Sequence, residues 1–148
     1  MFDTVTGLPV HALVVHATVV LVPLMSLVTV LVALRDPLRA RYAVWVAVVD
    51  GVLIGLVFVT KKSGEALQQR LGGTIALEHG RLGSSLIWFA IGLFVASLLV
   101  VATRRSGGAA KVAANALTVV AAVALIVWTV RVGDSGAREV WSGLVSRG

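Results

Sequence analysis

Four long apolar runs limit what this chain can fold into. The runs 12–34, 82–103 and 112–130 contain no Asp, Glu, Lys or Arg, and the run 42–60 contains one charged residue, Asp50. A bilayer core about 30 Å thick is crossed by about 20 helical residues, and each run suffices within the known range. The runs are apolar on every face, without two-residue alternation, which favours helices over a β-barrel. We therefore expect an all-α integral membrane four-helix bundle forming one domain, 1–148, with spans at about 10–34, 42–60, 82–103 and 112–131.

Two stretches outside these spans are amphipathic instead of uniformly apolar. One, at 63–71, begins with Ser-Gly-Glu, and the other, at 134–145, begins with Asp-Ser and carries an apolar stripe at helical spacing. Serine and aspartate are typical first residues of helices. We expect short interfacial helices here, both on one side of the membrane.

The basic residues predict an orientation in the membrane. The loops after the first and third runs are short and each hold three basic residues, while the first ten residues hold none. Basic residues near span ends favour the cytoplasmic side, so we expect both termini outside the cytoplasm. The net charge of +6 comes from such clusters and forms no continuous stripe. We therefore expect the lipid bilayer as a partner, and no nucleic acid.

The residue types exclude several kinds of chemistry. The chain has no cysteine, so it offers no disulfide, thiolate metal site or iron–sulfur ligation. It contains no phosphate loop, paired-carboxylate motif or nucleophile–base–acid arrangement. We expect no catalytic residues and no independent enzymatic activity, and any cofactor must use His, Met, Asp or Glu.

Three histidines, His11, His16 and His79, are the candidate ligands. At about 100° per residue, His11 and His16 lie about 140° apart on one helix and cannot both reach one ion from a single face. Two histidines on facing helices can ligate haem b or a transition metal. The alternative is that these side chains only form interhelical hydrogen bonds or lie beside lipid head groups.

Asp50 and two glycines mark the second run. A carboxylate near the bilayer centre costs about 2.5–3.5 kcal/mol on insertion scales, so such residues are usually paired or functional. We expect Asp50 to be neutral, or to hydrogen-bond a histidine such as His16 and so support a ligand or handle protons. Gly51 and Gly55 form a Gly-x-x-x-Gly pair, which predicts a close helix-packing face.

The two halves of the chain share an order of features. Each has a histidine, a span, a basic loop, a second span and then Ser-Gly, so that His11 corresponds to His79 and Ser63 to Ser135. Residue identity between the halves is low, and a coincidental order stays open. A true parallel repeat is related by an axis along the membrane normal. It would place the two histidines at matching depth near the outer surface.

Several segments carry a family resemblance: Gly7 to His16, Ser63-Gly64-Glu65, His79 to Gly83 and Arg131 to Ala137. Together they resemble the bacterial membrane family called domain of unknown function 2231, over almost the whole chain. The resemblance implies a four-span protein of the bacterial inner membrane. Some relatives are joined to Rieske-type or cytochrome-like modules, which implies respiratory redox chemistry. Relatives often have histidine where this chain has Asp134, which argues against a ligand role at that position.

The family has no settled activity, and three functions stay open. The first is a haem- or metal-binding bundle that supports respiratory electron transfer in a membrane redox complex. The second is a non-catalytic structural or assembly subunit that packs against a larger complex or a second copy through Gly51 and Gly55. The third is a small proton-coupled transporter built on the repeat, with Asp50 as its titrating group.

Overall fold

The computed structural model describes residues 4–5, 8–70, 72–73 and 77–145, and nearly all of them are helical. The four helices are α1 Val10–Leu34, α2 Asp36–Arg70, α3 Leu77–Ala102 and α4 Gly108–Val145. A short antiparallel pairing of β1 Thr4–Val5 with β2 Leu8–Pro9 precedes α1. All four helices are long and apolar enough to cross a membrane, so the predicted all-α four-helix architecture is confirmed.

The helices form a ring in chain order. Each packs against its chain neighbours, α4 closes the ring against α1, and α1 and α3 touch at a few positions across the centre. The connections after α1 and α3 are short, so successive helices run in opposite directions. We call the end with these two connections the loop end, and the end where α1 and α3 begin the histidine end. Large apolar side chains such as Leu27, Val52, Trp88 and Val120 are at least 60% exposed on the outer faces, as contact with lipid requires.

Valine, leucine and alanine side chains fill the inside of the ring. One cluster spans all four helices, and a second lies nearer the loop end. Small residues allow membrane helices to approach closely, and van der Waals packing then holds them together. The members of the first cluster are Val22, Val57, Leu86, Ala90, Leu93, Ala122 and Leu125.

The predicted short interfacial helices are not separate elements. The stretches after Ser63 and Ser135 continue α2 and α4 without a break, although Leu71 lies outside the described residues. The Ser63 hydroxyl donates to the carbonyl of Thr60 at 2.9 Å, and the Ser135 hydroxyl donates to the carbonyl of Val132 at 2.8 Å. Serine bonds backwards in this way within a continuous helix, so it does not begin a new one here.

Arg39 holds three helices together at the loop end. Its side chain is 1% exposed. Nη1 donates to the Ala33 carbonyl at the end of α1 and to Asn115 Oδ1 on α4, at 3.0 and 2.6 Å. Nη2 donates to Thr103 Oγ1, directly after α3, at 2.5 Å. In the sequence Arg39 counted only as one of the topogenic loop charges, whereas in the fold it is a buried link.

Candidate functional site

His11 and His79 meet at the histidine end. They lie in the first turns of α1 and α3, which run in the same direction on opposite sides of the bundle. Their ring centroids are 6.5 Å apart and their planes are inclined by 73°. Both side chains are partly buried. Two of the three candidate ligands are therefore neighbours across the centre of the ring.

Each histidine has the same kind of support from the second helix of its own half. His11 Nδ1 lies 3.2 Å from Ser63 Oγ on α2. His79 Nδ1 lies 3.2 Å from Ser135 Oγ and 3.0 Å from the Val132 carbonyl, both on α4. The order of features that the two halves share in sequence thus corresponds to matching contacts in space.

These contacts determine which ring nitrogen carries the hydrogen. Both serine hydroxyls use their single hydrogen to donate to a carbonyl of their own helix, so they can only accept from an imidazole. The Val132 carbonyl can also only accept. A neutral ring at either position therefore has its hydrogen on Nδ1 and a lone pair on Nε2. Metal-binding histidines use the same arrangement, with the second ring nitrogen donating to a protein oxygen.

Two glycines allow the imidazoles to lie against helix backbone. A Cβ added to Gly64 would be 3.0 Å from His11 Cε1, and one added to Gly136 would be 3.0 Å from both Cε1 and Nδ1 of His79. Each glycine directly follows the supporting serine. Both halves therefore use a Ser-Gly pair in the same way: the serine oxygen contacts the ring nitrogen, and the glycine leaves room for the ring.

We expect Gly64→Ala and Gly136→Ala to lower the free energy of unfolding. The added methyl group overpacks the ring, at a cost of about 1–3 kcal/mol, which exceeds the gain of up to about 1 kcal/mol for alanine over glycine in a helix. The measurement is unfolding of the purified protein in one detergent. Gly133→Ala is the matched control on α4, since its Cβ would meet no described atom within 4 Å outside its own stretch of the helix. Equal stability of the Gly133 and Gly136 variants would contradict this packing role.

A cavity of about 610 Å³ adjoins the two rings. That volume is typical of small-molecule and cofactor sites. Its walls are mainly apolar and include Val15, Val57, Leu86 and Val132. The charged residues that line it are Lys61, Glu65, Arg81 and Glu139.

His16 does not join the other two histidines. Its side chain is exposed, and its Nδ1 contacts the Ala12 carbonyl on the same helix. It does not line the cavity. Among the described residues, no group of three His, Cys, Asp or Glu side chains could hold a metal ion. The candidate site therefore offers two imidazoles, from His11 and His79.

Asp50 is buried in a different layer of the bundle. It is 2% exposed, Thr29 Oγ1 lies 3.0 Å from Asp50 Oδ2, and the Ser97 hydroxyl on α3 lies close to the same carboxyl group. Thr29 follows His16 by thirteen residues on α1, about 20 Å along the helix, so the expected Asp50–His16 bond is wrong. Thr29 and Ser97 each lie eighteen residues after the histidine of their half. Hydroxyls from equivalent positions thus converge on one carboxyl group.

Gly51 and Gly55 lie on the same side of α2 but have different surroundings. A Cβ on Gly51 would lie 3.3 Å from the Phe94 ring of α3, so this glycine allows close packing within the bundle. A Cβ on Gly55 would have no atom of the described residues within 4 Å, and Gly55 is exposed. Within the bundle, therefore, only Gly51 of this pair packs closely against another helix.

Comparison with known proteins adds the family. No curated protein and no solved structure matches the chain. The sequence does match the family described as "Predicted membrane protein (DUF2231)" over residues 7–147, which is nearly the whole chain. The match includes His11 and His79, both Ser-Gly pairs and all four membrane-length helices. The chain belongs to this domain of unknown function 2231 family and is a multi-pass membrane protein.

Proposed function

We propose that the protein binds haem b between His11 and His79 and passes electrons in the membrane. The observation that carries this proposal is the pair of imidazoles beside one apolar cavity, each anchored through Nδ1. In that state neither Nε2 lone pair has a hydrogen bond to a described residue. Both rings are thus prepared to act as ligands.

The separation of the rings supports a shared ion. A metal bound to one nitrogen of each ring, with bonds of about 2.0–2.1 Å, places the ring centroids about 6 Å apart. The observed separation is 6.5 Å. His11 and His79 would therefore be the two residues that hold the metal, one from each half of the bundle.

The ligand count favours haem over a bare ion. Protein zinc sites use three or four protein ligands, and the described residues bring only two imidazoles together here. Haem would need only two ligands from the protein, which His11 and His79 would supply. A large apolar cavity suits a macrocycle and has no role for an ion alone. Lys61 and Arg81 line the cavity and can pair with the two propionates.

The chemistry expected of such a site is one-electron transfer. Haem supplies the redox couple, while imidazole ligation, hydrogen bonds to the ligands and an apolar surrounding set its potential. The serine contacts fix the orientation of each imidazole. The proposal places the loop end in the cytoplasm of a bacterial cell and the haem near the outer surface, where a membrane redox complex can exchange electrons with it.

A reduced-minus-oxidised absorbance spectrum of the purified protein tests this function, with elemental analysis of the same sample. The expected result is a b-type haem band with one iron per chain. A stoichiometric metal without that band would replace haem by a bare ion. A folded chain that has neither, even after haem is added, would contradict the proposal.

The two alternative functions have less support. A subunit that docks through Gly51 and Gly55 needs both on one face, but Gly51 already packs against Phe94 inside the bundle. A transporter that uses Asp50 needs a polar path to that residue. The Thr18–Thr60 hydroxyl pair lies nearer the histidine end, and the apolar cluster around Val22 and Leu93 fills the interior between this pair and Asp50.

A further inference from the structure

The loop end carries most of the uncompensated positive charge of the protein. It contains one acidic residue, Asp36, and six basic ones: Arg35, Arg39, Arg41, Arg104, Arg105 and Lys111. Lys111 pairs with Asp36, and Arg39 is buried among neutral acceptors. The other four arginines have no acidic partner within the described ranges. At the histidine end, by contrast, the described residues include six basic and four acidic ones.

Two of these arginines form a pocket. A cavity of about 300 Å³ is lined by Ala40, near the start of α2, and by Arg104 and Arg105, in the turn after α3. We call it the arginine pocket. Neither guanidinium group has a hydrogen-bond or ion-pair partner in the part of the chain that the structure describes. The small side chain of Ala40 leaves the space between the two elements open.

The backbone that carries the pocket is held in place. The Arg104 amide donates to the Val101 carbonyl at 3.2 Å, and the Ser106 amide donates to the Thr103 carbonyl at 3.1 Å. The Thr103 hydroxyl, next to Arg104, accepts from buried Arg39. The backbone that carries these two guanidinium groups is therefore held by hydrogen bonds within the turn and, through Thr103, by Arg39 of α2.

The position of the pocket along the bundle matches the lipid head groups. Trp45 follows Ala40 by five residues on α2, about 8 Å deeper, and is 69% exposed. Exposed tryptophan is typical of the membrane–water interface. The arginine pocket thus lies within the head-group layer, at the level of the lipid phosphates.

We infer that the arginine pocket binds the phosphate of an anionic phospholipid in the leaflet at the loop end. Guanidinium groups match phosphate oxygens in geometry and charge, and basic pockets between membrane helices are known to hold such head groups. The shortage of acidic residues at this end leaves nothing to attract the cationic part of a zwitterionic lipid. The pocket therefore selects phosphatidylglycerol-type lipids over phosphatidylcholine.

The test compares spin-labelled phosphatidylglycerol with spin-labelled phosphatidylcholine in vesicles that contain the reconstituted full chain. The wild-type protein should immobilise the anionic lipid preferentially. Arg104→Gln/Arg105→Gln should lower that preference by about fivefold for each arginine removed. Arg131→Gln/Arg138→Gln is the matched control, because it removes the same charge from exposed positions at the other end. Unfolding midpoints of both variants establish that they are folded.

Each outcome of this comparison either supports or overturns lipid binding by the arginine pocket. Loss of the preference in the loop-end variant alone supports the pocket. An equal loss in both variants would show a general surface charge effect and overturn it. Added inorganic phosphate, at constant ionic strength, should leave the wild-type preference for the anionic lipid unchanged. If phosphate abolishes that preference, the pocket is a site for free phosphate, and the inference of lipid binding is overturned. None of these readouts depends on whether haem is bound.

Discussion

Replacing His11 or His79 by alanine is expected to abolish haem binding, whereas replacing His16 leaves it intact. Each of the first two supplies one imidazole next to the cavity, while His16 is exposed and contacts its own helix. Changes to residues that only support a metal ligand typically cost 10–100-fold in affinity, so loss of a ligand should cost more than about a hundredfold. The measurement is a haem titration of each purified variant, followed by absorbance.

The two single variants should be affected to a similar extent, because both rings are held by a serine and packed on a glycine. His16→Ala serves as the control for removing a histidine from α1. Unchanged haem affinity in the His11→Ala/His79→Ala double variant would rule out this site as the place where haem binds.

Replacing Arg39 by leucine is expected to lower the free energy of unfolding by about 3–5 kcal/mol. The substitution removes a charged donor from three acceptors, namely the Ala33 carbonyl, Asn115 Oδ1 and Thr103 Oγ1. These acceptors belong to α1, α4 and the turn after α3, so the loss affects the whole loop end. Detergent-induced unfolding, monitored by circular dichroism, measures the change.

Arg41→Leu is the control for Arg39→Leu. Arg41 is exposed and lies over the Tyr42 ring, 5.3 Å from its centroid, so its removal should cost less than about 1 kcal/mol. Arg39→Lys should fall between the two, because one ammonium group cannot reproduce the fork that reaches Asn115 and Thr103 together. A stability of Arg39→Leu within about 1 kcal/mol of wild type would refute the linking role of Arg39.

The spans were predictable because they depend on composition alone. A long run without charge is a helix in a membrane whatever its neighbours are. The helix ends were harder to predict from the sequence, because serine and glycine have two structural roles. In water they typically begin or end helices, which favoured separate interfacial segments after Ser63 and Ser135. In the fold they hold an imidazole, and α2 and α4 continue through them.

The candidate site was predictable in part, for a geometric reason. The shared order of features indicated that His11 and His79 lie at matching depth, and the structure places them side by side. The expected Asp50–His16 bond was wrong because the two side chains lie at different depths, about 20 Å apart along α1. Arg39 was overlooked among the loop charges. Its spacing from Ala43 and Asp50 puts all three on one helix face, which is the signal that could have revealed its burial.

The diagonal pairing of His11 and His79 has a consequence for biogenesis. Each hairpin, α1–α2 or α3–α4, carries one imidazole with its own serine and glycine, and therefore half of the proposed haem site. Membrane helices insert first and associate afterwards. A ligand that recognises only the associated hairpins stabilises them by mass action, by about 2.7 kcal/mol at a hundred times its Kd. The bound cofactor would then hold the two hairpins together, and its supply would control how much of the newly inserted protein completes their association.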